Sequence, residues 1–162
     1  MPLALPHTRG CLVCGHDNPH GLRLRLNVDQ ETGVVTCEFT PAAHHIGFEG
    51  IIHGGLLSTV LDEAMVWAAI WSEKRLCVCG ELNVRFRHGV SVGQPLHVEA
   101  RLTDFRSRLI ETSGQITDAS GKRLVISSGK YVPLPDARNR QFLESLVVEL
   151  ATADARRALG TS

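Results

Sequence analysis

Two features within residues 51–63 have the residue types of acyl-transfer or proton-transfer chemistry. The first is a carboxylate pair, Asp62-Glu63, the only charged residues between positions 54 and 72. A carboxylate among apolar neighbours is costly to bury. It therefore sits at a wet edge, pairs with an arginine, or serves as a general base or nucleophile. Adjacent positions on a helix point about 100° apart, so the two carboxylates cannot share one task. Periodicity alone does not choose between them. The second feature is Ile51-Ile52-His53-Gly54-Gly55-Leu56. Two glycines at a helix start leave the first-turn N–H groups unobstructed. Those groups lack intrahelical partners and stand at the positive end of the helix dipole. They suit an anion or a polarised carbonyl oxygen. Taken alone, Gly-Gly reads as a plain tight loop-to-helix turn. Asp62 follows His53 by nine residues, about two and a half helical turns.

These residues need elements to position them. Leu57, Val60, Leu61, Ala64, Ala68 and Trp71 recur at helical spacing, and Leu56, Met65, Val66, Trp67 and Ile70 make the other faces apolar. A helix apolar nearly all round is buried, so 54–73 is predicted as a core helix. Around it the period is two. Leu22–Val28 and Val34–Phe39 form a hairpin around Gly33, and 41–53 is a loop with three histidines. Leu82-Val84-Phe86 and Leu96-Val98-Ala100-Leu102 alternate with polar residues, and 108–117 and 124–132 are two more strands around Asp118-Ala-Ser-Gly121. Residues 139–159 have helical spacing, with Gly160 as a stop. Strands joined by short turns make an antiparallel sheet. The order ββαββββ plus a terminal helix is therefore α+β: an antiparallel β-sheet wrapped around a long central helix, with an extra C-terminal helix. The divisions expected are an irregular leader over 1–21, one sheet-and-helix domain over 22–135 and a helical extension over 136–162.

The 162 residues suffice for one domain. Seventeen Lys+Arg balance seventeen Asp+Glu, so no global basic field draws nucleic acid or an anionic membrane, and neither is expected as a partner. The zero hides an asymmetry. Residues 40–73 hold Glu49, Asp62, Glu63 and Glu73 without Lys or Arg, giving −4, and 82–108 hold five Arg against Glu99 and Asp104, giving +3. No apolar run reaches the roughly 18 residues of a membrane span. The opening MPLALPHTRG does not read as a secretory signal. The five cysteines are then expected as reduced thiols in the cytoplasm. There is no G-x-G-x-x-G or P-loop.

The segment Gly50-Ile-Ile-His53-Gly54-Gly55-Leu-Leu-Ser-Thr-Val-Leu-Asp62-Glu63-Ala64 resembles the signature of hotdog-fold acyl-CoA thioesterases of the PaaI/4-hydroxybenzoyl-CoA thioesterase type. Gly80-Glu-Leu-Asn-Val-Arg-Phe-Arg87 resembles that family's strand after the helix. Cys11-Leu-Val-Cys14-Gly15…Asn18-Pro19-His-Gly21-Leu22 resembles the opening of its THEM4-like branch. The likeness covers roughly residues 11–133. It implies hydrolysis of an acyl- or aryl-CoA to free acid and coenzyme A, in a homodimer or tetramer. Asp62 is implied as the general base or nucleophile, and the Gly54 N–H as the group polarising the carbonyl. His53 and Gly55 are implied to complete the turn. Asp62 of one chain would meet Gly54 of another. Cys79 falls where relatives often have a hydroxyl that positions water. Gly47 falls where several have an asparagine, with His45 as the residue able to replace it. Arg85, Arg87 and His88 are candidates for the phosphates of coenzyme A, and equally read as a solvated strand face. An alternative on the same fold is a non-catalytic acyl-CoA binding or sensing module.

Cys11-x-x-Cys14 with His16 and His20 has zinc-binding residue types. A closed structural site wants four ligands at recognised spacing, and there is no second C-x-x-C pair. No metal and no separate cofactor is expected.

Overall fold

The computed structural model describes residues 1–106 and 108–161. In chain order the elements are β1 (Pro2–Ala4), β2 (His7–Thr8), β3 (Asn27–Asp29), β4 (Val35–Phe39), a single 3₁₀ turn at Ala43–His45, β5 (Ile46–Phe48) and β6 (Ile51–Ile52). They continue as α1 (Gly54–Glu73), β7 (Cys77–Phe86), β8 (Leu96–Arg106), β9 (Leu109–Asp118), β10 (Arg123–Pro133), α2 (Asp136–Ser145), β11 (Leu146–Val147) and α3 (Ala153–Leu159). Seven strands form one antiparallel sheet in the order β1-β3-β4-β8-β9-β10-β7. The sheet curls around α1, which packs on β4, β7, β8, β9 and β10. No helix among the described residues is long and apolar enough to cross a membrane.

The central helix spans the residues its periodicity marks. Leu57, Val60, Leu61, Ala64, Met65, Trp67, Ala68, Ala69, Ile70 and Trp71 are all buried on it. The helix ends at Lys74, whose backbone adopts a left-handed φ of 55° and donates to the Ile70 carbonyl at 2.8 Å. Close approach of α1 to the sheet depends on two strand glycines. A Cβ on Gly114 would stand 2.9 Å from Met65 Sδ and 3.0 Å from Leu61 Cδ2. On Gly129 it would meet Met65 Cε at 2.9 Å. We expect Gly114→Ala to cost about 1–3 kcal/mol through overpacking, read as a lower denaturant midpoint at an unchanged slope.

Four expectations differ from the structure, the first being the loop over 41–53, which folds a short ribbon of its own in which β5 pairs antiparallel with β6. Leu22–Val28 alternates in burial as a strand does, but only Asn27–Asp29 joins the sheet. Residues 22–26 bond instead to the chain's own start: Leu22 N–H donates to the Leu12 carbonyl and Leu24 N–H to the Val13 carbonyl, while Arg23 sits at φ 54°. The leader is therefore not wholly irregular, since it supplies β1 to the main sheet and β2 to a ribbon with β11. The helix expected over 139–159 is two helices, because Leu146–Val147 leaves helical geometry to pair with His7–Thr8.

Candidate active site

The segment before α1 builds the helix N-terminus. His53 is the N-cap, in extended backbone, and its Nδ1 accepts the Gly55 N–H at 2.9 Å. Its carbonyl accepts the N–H groups of Leu56 and Leu57 at 3.0 and 3.3 Å. The orphan donors of the first turn are thus largely consumed by His53. Among the described residues the Gly54 N–H has no such partner, and it stands at the positive end of a 20-residue helix.

The turn is held from behind by the histidine loop. His53 N–H donates to the His45 carbonyl at 2.9 Å, and His45 Nδ1 accepts the Ala42 N–H at 2.9 Å. The His45 ring packs against His44 and Phe39, and burial lowers its pKa. Gly47 abuts His53, with room for a Cβ only at 3.1 Å from His53 Cα and Cδ2. His45 and Gly47 are therefore gathered around His53, where they shape the turn.

Farther along α1, the half-buried Asp62 carboxylate faces the sheet. Tyr131, fully buried on β10, donates its hydroxyl proton to Asp62 Oδ1 at 2.8 Å. Burial and the adjacent carboxylate push the Tyr131 phenol well above its usual range, so it stays a donor. Cys79 is the cross-strand partner of Tyr131. Its thiol pKa is raised by burial and then by the Asp62 charge, which keeps it a neutral thiol beside that carboxylate. The sheet register thus brings Cys79 to Asp62. It also brings Tyr131, whose one signal in the sequence is an isolated tyrosine on the buried face of an alternating strand.

Glu63 turns the other way. Its Oε1 accepts the Trp67 indole N–H at 3.0 Å, and its Oε2 lies 3.8 Å from Cys11 Sγ. Burial lifts its pKa to about 7. The two neighbouring carboxylates therefore serve different surroundings, as their 100° separation requires.

The third region is basic. Arg85, Phe86, Arg87 and His88 line a shallow depression with Lys122 of the β9–β10 turn and Arg123 at the start of β10. No motif marks those last two residues, since only the folded hairpin brings them beside β7. The Phe86 ring covers Gly54, 3.1 Å from the position of a Cβ there. The depression thus adjoins the helix N-terminus. β7 is the last strand of the sheet, and its outer edge has no strand partner among the described residues. Val78 and Phe86 are exposed along it.

Comparison with known proteins agrees with this architecture. The family model for the thioesterase superfamily matches residues 49–125. Acyl-coenzyme A thioesterase 13 of Homo sapiens is 26% identical over 106 residues, covering 64% of this chain and 74% of the human protein. A solved structure described as a thioesterase superfamily protein has a TM-score of 0.72 at 26% identity and covers 76% of this chain; the match spans 63% of that protein, under two thirds of its length. The smu.793 protein of Streptococcus mutans, solved bound to acetyl CoA, has a TM-score of 0.63 at 15% identity, covering 68% of this chain and 88% of its own. The matched residues run through the His53 turn, α1 and the strands that carry Cys79 and the basic depression, and the chain has the hotdog fold of the thioesterases it resembles.

Proposed function

We propose that this chain hydrolyses an acyl- or aryl-CoA thioester to the free acid and coenzyme A. The observation that carries the reading is Asp62: a carboxylate on a largely apolar core helix, held by the Tyr131 hydroxyl at 2.8 Å, in a chain whose fold and His53–Asp62 segment resemble those of thioesterases. The relative named acyl-coenzyme A thioesterase 13 and the neighbour solved with acetyl CoA support coenzyme A as the carrier.

The chemistry divides among few groups. Asp62 takes a proton from water as the oxygen attacks the thioester carbon, or attacks that carbon itself. The Gly54 N–H stabilises the negative charge that forms on the carbonyl oxygen. The C–S bond then breaks, and the sulfur leaves as coenzyme A with the proton that Asp62 took from water; if Asp62 itself attacks, water then hydrolyses the acyl–Asp62 anhydride, which frees the acid and the carboxylate and supplies that proton. Tyr131 fixes one carboxylate oxygen and leaves the other for water, and the Cys79 thiol is the second neutral group on that side. His53 and Gly55 hold the turn that presents the Gly54 N–H, with His45 and Gly47 behind them.

Gly54 and Asp62 lie eight residues apart on one helix, about 12 Å along its axis. One carbonyl and its attacking water need both groups within about 3 Å of the reacting atoms. The working site therefore joins Asp62 of one copy to Gly54 of another. The β7 edge, which has no strand partner among the described residues, and Phe86 beside Gly54 support this assembly.

The basic depression takes the phosphates of coenzyme A. We expect Arg87→Ala to raise KM for an acyl-CoA by about tenfold with kcat little changed, as removal of one charged hydrogen bond does. The same variant should leave KM for the matching acyl-pantetheine, which lacks the nucleotide phosphates, nearly unaltered. The function itself is tested by release of free thiol from aryl-, short- and long-chain acyl-CoAs. Turnover of at least one class is expected. Saturable binding without turnover across the panel would identify a non-catalytic binding module instead.

A further inference from the structure

Cys11, Cys14 and Glu63 meet at one point between the leader and α1. One donor atom from each, two sulfurs and a carboxylate oxygen, lie within 4.8 Å of one another. Cys14 is buried, and Cys11 and Glu63 are half-buried. Glu63 stands 52 residues from Cys11, so the fold, and no motif spacing, brings it to the two cysteines. His16, which had the residue type of a ligand, packs instead edge-on against His7 at 4.5 Å between ring centroids.

The local build fits a metal more closely than a chance cluster of acids. Leu12–Cys14 forms a tight turn that curls the backbone over the first sulfur, and the Val13 N–H donates to Cys11 Sγ at 3.3 Å. The Gly15 N–H closes the turn on the Cys11 carbonyl at 3.0 Å. A Cβ on Gly15 would stand 2.4 Å from Cys11 N and O, so only glycine allows the two sulfurs to converge this way. On the facing helix, Trp67 holds Glu63 Oε1 and leaves Oε2 directed at the sulfurs. Such an outer hydrogen bond orients a ligating carboxylate. Among the described residues no basic side chain forms an ion pair with Glu63. Three acidic groups thus share one partly desolvated site, and among the described residues no ion pair balances its carboxylate.

We propose that Cys11, Cys14 and Glu63 bind a divalent transition-metal ion, zinc above all, which pins the leader to the central helix. Thiolate and carboxylate oxygen are both established zinc donors, and the C-x₂-C spacing is that of one half of a tetrahedral site. Three protein ligands leave the fourth position to water. The ion lies on the Glu63 side of α1, and thioester hydrolysis through Asp62 does not route through it.

The test is metal content, which is independent of activity. The full-length chain, reduced and reconstituted with zinc chloride, should retain about one zinc per chain after removal of free metal. Cobalt(II) in its place should give a thiolate-to-metal charge-transfer band. Cys11→Ser and Cys14→Ser should each lose the zinc and the band. Trp67→Phe keeps all three ligands and should weaken zinc affinity by about 10–100-fold in competition with a chelator. A wild-type chain that takes up no stoichiometric zinc and gives no cobalt–thiolate band overturns the proposal, whatever the variants do. Unchanged zinc content in both serine variants overturns it equally.

Discussion

Asp62→Asn is expected to reduce acyl-CoA hydrolysis by about 10²–10⁴-fold while the chain stays folded. Both expectations come from the same geometry. An asparagine amide is nearly isosteric and still offers an oxygen to the Tyr131 hydroxyl, which sits 2.8 Å from Asp62 Oδ1. The buried donor therefore keeps a partner, and the penalty for an unsatisfied hydroxyl is avoided. The amide, however, neither accepts a proton at neutral pH nor attacks a thioester. Thermal unfolding close to wild type, beside a collapsed kcat, is the expected pair of measurements. Activity retained in a folded Asp62→Asn protein would remove this carboxylate from the mechanism.

Gly54→Pro is expected to lower kcat by about 10²–10³-fold, the usual effect of losing one donor to a developing oxyanion. Proline is informative here because it deletes a single backbone N–H. The first helical position tolerates it, since that N–H has no intrahelical acceptor. His53 before it has φ −61° and ψ 128°, the extended geometry that a following proline requires. The nearest neighbour of a Cβ there is the half-exposed Phe86 side chain, which has solvent to move into. Helix content by circular dichroism should therefore be preserved. A matching loss of kcat and kcat/KM would assign the N–H to transition-state stabilisation, whereas a rise in KM alone would assign it to binding.

Much of this site was legible in the residues themselves. The span of α1 follows from apolar residues on every face, bounded by His53-Gly54-Gly55 and by Glu73-Lys74-Arg75. The strands after it follow from period-two alternation, so Cys79 and Arg85 to His88 could be assigned to β7 or its end. What escaped depends on register and on long-range packing. Tyr131 becomes a partner of Asp62 only because β10 pairs it with Cys79, one step past a register shift between Lys130 and Tyr131. Lys122 and Arg123 join the basic depression only when the β9–β10 hairpin folds beside β7. The leader strands β1 and β2 have three and two residues, too few for any periodicity to register. The C-terminal segment kept its helical spacing through Leu146 and Val147, yet pairing with β2 displaced the helix there. Glu63 looked like an equal rival to Asp62, and packing separated them: one carboxylate meets a tyrosine and a strand thiol, the other an indole and the leader cysteines.

The central claim is that one reacting centre uses Asp62 from one copy and the Gly54 N–H from another. Asp62→Asn and Gly54→Pro chains, each nearly inactive alone, can be unfolded together, refolded as a mixture and assayed for free-thiol release from an acyl-CoA that the wild type turns over. If two copies share each site, a mixed dimer contains one site with both native groups. Random pairing in equal mixture then restores about a quarter of the wild-type rate. A mixture that stays as inactive as its two components, under conditions where mixed dimers are verified by mass, would contradict the account.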